Sequence, residues 1–333
     1  SPPKPSSAAS DVYKRQVVYY VLLFGGIQIA LFLKEKGAYR VWRVLSRGIC
    51  VAVVCVSIFI LGFRQKNLIS ITCLDIGQGD GIVIQLPGGK TVMVDGGSSS
   101  KKKVASYQIL PYLKNQGISV VDAMLISHTD LDHISGVQEL LTLKEKHLTT
   151  LRIKNLLLPD WKAPEEVYYE LEEQAKRCGI SVLRLHQGQK LRFGDGSLEI
   201  LSPETGAKGT DVNEEGIVME LRYGKFRGLF TGDIGAETEK KLLPKLDDVN
   251  FLKVGHHGSR YSTCQEFLDK IKPELAVISC SESNTYGHPS PETTERLEEN
   301  GIRTEYTMKN GAITVYTDGH SIRMKTFCNE KTA

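Results

Sequence analysis

His128-Thr129-Asp130-Leu131-Asp132-His133 is the stretch on which the reading of this chain turns. Four of its six positions, the first, third, fifth and sixth, carry metal-ligand side chains. It follows Asp122-Ala-Met-Leu-Ile-Ser127, an apolar run that reads as a buried strand. It precedes Ile134-Ser-Gly-Val-Gln-Glu-Leu-Leu141, which reads as the start of a helix. Ligands bunched on the loop after a strand can converge on one point. Alternation turns the first, third and fifth side chains to one side, and the sixth closes over them. The segment has no Lys or Arg to neutralise it, so such a density of His and Asp is costly to assemble without a cation. A polar turn with a capping Asp is the plainer alternative.

A metal site needs more donors than one loop supplies, and three other strand ends offer them. Leu229-Phe-Thr-Gly-Asp233 is an apolar run ending in a carboxylate. Val254-Gly-His256-His257-Gly-Ser259 sets paired histidines between glycines, which let backbone approach a crowded centre. Tyr286-Gly-His288-Pro289 adds one more histidine. Taken singly, each has a plain alternative: a β-turn, a capped loop, and a turn before a helix. His147, His186 and His320 lie among no other ligand types and read as surface or packing residues.

The resulting ligand set is His128, Asp130, Asp132, His133, Asp233 and one or both of His256 and His257. His257 is taken as the ligand, with the choice between the two open. Such a mixture of carboxylates and imidazoles suits two divalent ions ~3.5–4 Å apart. Oxygen and nitrogen donors without thiolate admit Zn²⁺ or Mn²⁺. A water bridging two such ions has its pKa lowered to about 7, so the expected chemistry is hydrolysis by hydroxide. No Ser-His-Asp or Cys-His pattern competes. The seven cysteines are scattered without a C-x-x-C spacing, which argues against a zinc ribbon and a dense disulfide framework.

Composition bounds the rest. The chain has 333 residues and a net charge of +3, too mild to argue for nucleic acid by charge alone. Residues 1–16 are rich in Ser, Pro and Ala without periodicity and read as an unstructured or artefactual segment. Val17–Leu33 and Gly48–Phe63 carry no charge across 17 and 16 residues. Each approaches the ~17–25 residues that span a bilayer. We read 17–66 as a membrane region of two transmembrane helices, the plainer alternative being buried core helices. Between them, five basic residues (Lys34, Lys36, Arg40, Arg43, Arg47) stand against Glu35. The positive-inside tendency makes that loop cytoplasmic and everything after Phe63 external.

Residues 67–333 read as one α/β domain. Strands are expected at Ile69–Leu74, Gly81–Leu86, Thr91–Val94, Ile153–Leu158, Ser181–Leu185, Ser197–Leu201, Gly216–Arg222, Phe226–Phe230, Asn250–Val254, Leu275–Ser279 and Ile302–Tyr306. An antiparallel pair is expected around Ile313–Tyr316 and Ser321–Lys325. Helices are expected at Val104–Gln116, interrupted by Pro111, and at Glu165–Arg177, Ser262–Lys270 and Pro291–Asn300. Strand meanders with helices in both halves imply two faced sheets with helices outside, a four-layer αββα sandwich.

Together, His128-x-Asp130-x-Asp132-His133, Gly232-Asp233 and the later histidines resemble the metallo-β-lactamase superfamily. The chain departs from that superfamily's usual H-x-H-x-D-H at Asp130 and lacks a histidine between this loop and Asp233. Asn213 occupies roughly the missing place. Further runs narrow the likeness: Leu74-Asp75-Ile-Gly-Gln-Gly-Asp80, Val94-Asp95-Gly-Gly97, Lys253-Val-Gly-His-His-Gly-Ser259 and Asn284-Thr-Tyr-Gly-His-Pro289. Residues ~69–325 are similar to the C-terminal domain of the ComEC family of competence DNA-uptake channels, and the apolar spans to the last helices of its channel.

The resemblance implies a multi-pass cell-membrane protein that imports single-stranded DNA, with a nuclease domain outside that hydrolyses the strand left behind. Its implied partners are DNA, the membrane and other competence proteins. A metal-bridging hydroxide would attack phosphorus at a centre that includes Asp132. His288, or whichever of His256 and His257 is not a ligand, would protonate the leaving oxygen. Asp75, Asp95 and Asn213 would support the ligands, and Asp80 reads as a turn residue. Ser259, Arg260, Lys101, Lys102 and Lys103 would meet DNA phosphates. Two other functions stand beside this one: a surface hydrolase of small or cell-wall phosphoesters, and a metal-containing DNA-binding or gating domain without turnover.

Overall fold

The structure is a computed structural model that describes residues 68–328 throughout and, before them, residues 20–21, 24–28, 31–32, 44 and 47–56. The chain divides into two compact units, Ser1–Gln65 with Glu330–Ala333, and Lys66–Asn329. In the first unit, residues 24–28 and 47–56 are helical. A Cβ at Gly26 would lie 3.2 Å from Ile49 Cγ2 and 3.5 Å from Val53 Cγ2, so the two helical stretches meet at this glycine. Phe24, Val51 and Val54 are exposed there. Among the described residues no helix is long and apolar enough to cross a membrane. The segment 1–16, and much of the spans expected at 17–33 and 48–63, lie outside the described residues.

The second unit opens with a meander: β1 (Ile69–Cys73), β2 (Gly81–Leu86) and β3 (Lys90–Asp95). Then come β4 (Val120–Val121), β5 (Ala123–Leu125), β6 (Arg152–Ile153), β7 (Asn155–Pro159) and β8 (Ser181–Leu185). A second meander follows: β9 (Lys190–Phe193), β10 (Gly196–Ser202), β11 (Val218–Tyr223) and β12 (Phe226–Phe230). The chain closes with β13 (Phe251–Lys253), β14 (Leu275–Ile278), β15 (Arg303–Tyr306), β16 (Ile313–Thr317) and β17 (Ile322–Thr326). Among the described residues, β4 and β6 pair with each other, and the rest form one sheet in the order β17-β16-β1-β2-β3-β5-β7-β8 and another in the order β15-β14-β13-β12-β11-β10-β9. Each sheet is antiparallel through its meander and becomes parallel afterwards, at β3-β5-β7-β8 and at β12-β13-β14-β15.

Alternation builds the layers. In β1 and β2, Ile69, Ile71, Cys73, Ile82 and Ile84 turn to one face, where they meet Leu198, Ile200, Leu221, Phe230 and Phe251 from the other sheet. The outer face of the first sheet is covered by the helices Leu110–Asn115, Leu131–Glu145 and Glu166–Arg177 through Ile134, Val137, Leu141, Tyr168 and Leu171. Ala236–Leu242, Gln265–Ile271 and Pro291–Glu299 cover the second through Leu242, Phe267, Leu268 and Leu297. The expected four-layer αββα sandwich is therefore present.

Two local readings are corrected. Pro111 does not interrupt its helical segment. It stands in the first turn of Leu110–Asn115, entered through a π-helical turn at Ala105–Ile109, where its missing N–H has no helical bond to lose. The helix after the ligand loop begins at Leu131, not Ile134. Asp130 has an extended backbone at the N-cap, and its carbonyl accepts from His133 N (2.9 Å) and Ile134 N (3.1 Å). Asp132 and His133 are therefore first-turn helix residues, not the end of an alternating loop. Gly97 allows that turn to seat: a Cβ there would lie 2.5 Å from the His133 carbonyl carbon and the Ile134 nitrogen.

Candidate metal centre

The candidate ligands come from the carboxyl ends of parallel strands, where α/β sheets characteristically build sites. Asp95 ends β3, and Ser127 and His128 follow β5. Asp233 follows β12, the His256-His257 pair follows β13, and Ser279 follows β14. Both halves of the sandwich thus contribute.

The three buried imidazoles share one arrangement. His257 Nδ1 donates to the Ser279 carbonyl at 2.9 Å, and His133 Nδ1 donates to Asp95 Oδ2 at 2.9 Å. Ser127 Oγ donates to Asp95 Oδ2 at 2.7 Å, so it accepts from His128 Nδ1 at 2.9 Å. Each Nδ1–H is thereby satisfied, and each Nε2 keeps its lone pair for the centre. His128 Nε2, His133 Nε2, His257 Nε2 and Asp233 Oδ1 are all buried without a hydrogen-bond partner. Burying four such acceptors together is unfavourable unless a cation completes them. His128, His133 and Asp233 form one group with ligand atoms within 4.8 Å of one another, and Asp132, His133 and His257 form a second. Asp233 Oδ2 lies 3.3 Å from His133 Nε2, 3.5 Å from His257 Nε2 and 4.0 Å from His128 Nε2. The donor set and its orphaned atoms fit a divalent metal.

Electrostatics agree. Burial opposes ionisation of Asp233, but the charges of His133 and His257 outweigh it and hold the carboxyl well below its ordinary range. Asp132 comes down to about 2 because His257 and His133 outweigh its burial. Asp130 is lowered chiefly by His128, whose Nε2 stands 3.5 Å from Asp130 Oδ2. Burial works to lower His133 and His257, yet the facing carboxylates raise both.

His256 and His257 separate clearly. The side chain of His257 is 1% exposed and lies inside the cluster, with Nε2 3.4 Å from Asp132 Oδ2. His256 is 34% exposed at the rim, its Nε2 3.9 Å from Asp233 Oδ2. Both residues have left-handed backbones, at φ 49° and 53°, a strained conformation that non-glycine residues keep mainly at functional sites. His288 packs edge-on against His256 at 5.6 Å. Burial and the two neighbouring histidines push its imidazole down to about 4.

Several expected roles change. Asp75 supports no ligand: it accepts from Gly77 N at 3.2 Å and pairs with Lys101 Nζ at 2.9 Å, which also engages Lys101. Lys102 and Lys103 line a surface cavity of about 310 Å³ with Ser98, Ser99 and Leu131.

 Ser259 is 2% exposed, and its carbonyl accepts from Thr293 Oγ1 at 2.8 Å, so it faces the fold and not a substrate. Arg260 is exposed and paired with Glu292 at 3.2 Å. Asn213 Oδ1 is buried without a hydrogen-bond partner. Its segment runs beside the ligand loop, where Ile217 N donates to the Ser127 carbonyl at 2.8 Å.

Asp80 is not a turn residue. Its side chain is 2% exposed and pairs at 2.7 Å with Lys253 Nζ, itself 1% exposed. Asp80 Oδ1 lies 3.8 Å from His257 Nδ1. A lysine closing the apolar strand Phe251–Lys253 is the available signal, since a buried ammonium demands a buried carboxylate. Ser127 and Ser279 carry no signal in the sequence, because nothing local marks a hydroxyl or a backbone carbonyl as an imidazole's acceptor.

Residues 74–282 match the metallo-beta-lactamase superfamily. The chain belongs to that superfamily. Over 289 residues it is 29% identical to ComE operon protein 3 of Bacillus subtilis, covering 81% of this chain and 36% of that protein. Over 274 residues it is 30% identical to Recombination protein 2 of Haemophilus influenzae, covering 82% of this chain and 32% of that protein. The chain thus spans about a third of these relatives' lengths, and the resemblance to the ComEC family is borne out. Among solved structures, the metallo-beta-lactamase fold protein YhfI from Bacillus subtilis matches at a TM-score of 0.51 and 12% identity, covering 72% of this chain and 96% of that one. That match speaks for the fold alone. Superfamily and ligand cluster together support a metal-dependent hydrolase domain related to competence proteins.

Proposed function

We propose that the domain is a metal-dependent phosphodiesterase that cleaves DNA as the hydrolytic part of a membrane DNA-uptake channel. The observation that carries this reading is the convergence of His128, His133 and His257 Nε2 with Asp233 Oδ1, all buried and unpartnered, beside Asp130 and Asp132. Two divalent ions, Zn²⁺ or Mn²⁺, held there would supply Lewis-acid stabilisation of the phosphoryl oxygens and an acidified water. The protein's own contribution is positional. Asp95, Ser127 and Ser279 fix the imidazole tautomers, and Asp80 with Lys253 braces the loops from both halves. His256 stands at the rim, where a proton can pass to a leaving oxygen, and His288, held unprotonated by burial and its histidine neighbours, packs against it.

The resemblance to the ComEC family of DNA-uptake channels supports DNA as the substrate and the membrane as the setting. The basic stretch at 34–47 supports a domain facing outward. The test is cleavage of linear DNA by the full chain in detergent with Mn²⁺ or Zn²⁺. Metal-dependent cleavage that Asp132→Ala abolishes is expected. Equal inactivity of both proteins across the metal series would remove the nuclease reading.

A further inference from the structure

The loop after β14 carries an aromatic ring that the ligand cluster does not use. Tyr286 is 62% exposed, and its ring lies nearly parallel to that of His288, 13° apart at 5.9 Å. His288 meets His256 edge-on at 5.6 Å, and His256 Nε2 is 3.9 Å from Asp233 Oδ2. A file of rings therefore leads from solvent to the ligand cluster.

A single exposed aromatic is ordinary on a protein surface. This one is held in place. Asn284 Nδ2 donates to the Ser281 and His288 carbonyls, at 2.7 and 2.5 Å. Its Oδ1 accepts from Tyr286 N at 3.2 Å and from His288 N at 2.9 Å. Gly287 supplies the left-handed turn between the two rings, at φ 72°. One side chain thus fixes the loop that presents both rings, so the tyrosine face is ordered before anything binds.

We propose that Tyr286, stacked on His288, is a nucleobase-stacking subsite beside the hydrolytic centre, taking an unpaired base next to the scissile phosphate. The proposal rests on the phosphodiesterase reading. A flat, exposed ring offers a base its π-face whatever the sequence. Bases inside a duplex are paired and already stacked on both sides, so the subsite selects unpaired strands.

The test is fluorescence anisotropy of the full chain, in chelator so that no probe is cut. The probes are a labelled oligothymidylate, an abasic oligonucleotide of equal length, and a blunt duplex. The oligothymidylate should bind about tenfold more tightly than the abasic strand. Tyr286→Ala should erase that difference, Tyr286→Phe should keep it, and duplex binding should not respond to either. Equal affinity for the thymidylate and abasic strands, an equal loss on all probes in Tyr286→Ala, or no binding of any probe overturns the subsite. Cleavage of the abasic strand with Mn²⁺ reads the hydrolytic centre separately: its absence counts against the phosphodiesterase reading and leaves the anisotropy comparison to decide the stacking.

Discussion

Asp95 shows how much one side chain beyond the ligands can carry. Its carboxylate accepts from Ser127 N and Ser127 Oγ, both at 2.7 Å, and from His133 Nδ1 at 2.9 Å. Through Ser127 it also orients His128. An amide there would turn an N–H towards one of these donors. Asp95→Asn should therefore weaken metal binding about 10–100-fold while circular dichroism stays native, as read by titration against a competing chelator. The imidazoles give a second expectation. His133 and His257 are raised above the ordinary value of 6.5 in the metal-free protein. Below those raised values each holds a proton that a metal must displace. Affinity should be greatest above them and fall as pH drops through them, with the decline beginning above pH 6.5. Zn²⁺ dissociation constants that do not change between about pH 8 and pH 6 would contradict this.

At the scale of elements, the centre depends on strand ends arriving at one edge. Asp80, in the loop before β2, and Lys253, closing β13, join the two halves by their buried ion pair. Removing one partner leaves the other charge buried and uncompensated. Lys253→Met should lower unfolding stability by about 3–5 kcal/mol in urea titrations, and adding Asp80→Asn should recover a large part of it. A loss below about 1 kcal/mol in the single variant would show that water or rearrangement compensates Asp80. The strands around the ligand loop were legible because alternation and turn residues mark them. The start of the 131–145 helix was not, because the same spacing of Asp130, Asp132 and His133 suits a loop or a helix's first turn. Docking against Gly97 distinguishes them.

For the whole molecule, metal binding and folding are linked. A metal that binds only the native state, at about a thousand times its dissociation constant, stabilises by about 4 kcal/mol. For a domain of this size that corresponds to roughly 10 °C in Tm. Removing metal with a chelator should lower Tm by about that much in thermal unfolding, and Asp233→Asn should show little further response. A chelator-insensitive Tm in the unsubstituted protein would argue against a native-state metal.

The sequence by itself determined the layered α/β class, most strand positions and the candidate ligand types at His128, Asp132, His133, Asp233 and the His256-His257 pair. These are local signals: apolar periodicity, and donors placed directly after a strand. Only the tertiary structure decided which residues meet. Asp75 and Asp80 both lie in the loop after β1, yet Asp75 turns out to Lys101 and Asp80 turns in to Lys253. His256 and His257 are adjacent in the chain, yet one stands at the rim and the other inside. Burial and long-range pairing are set by how the two sheets pack, and no spacing along the chain records them.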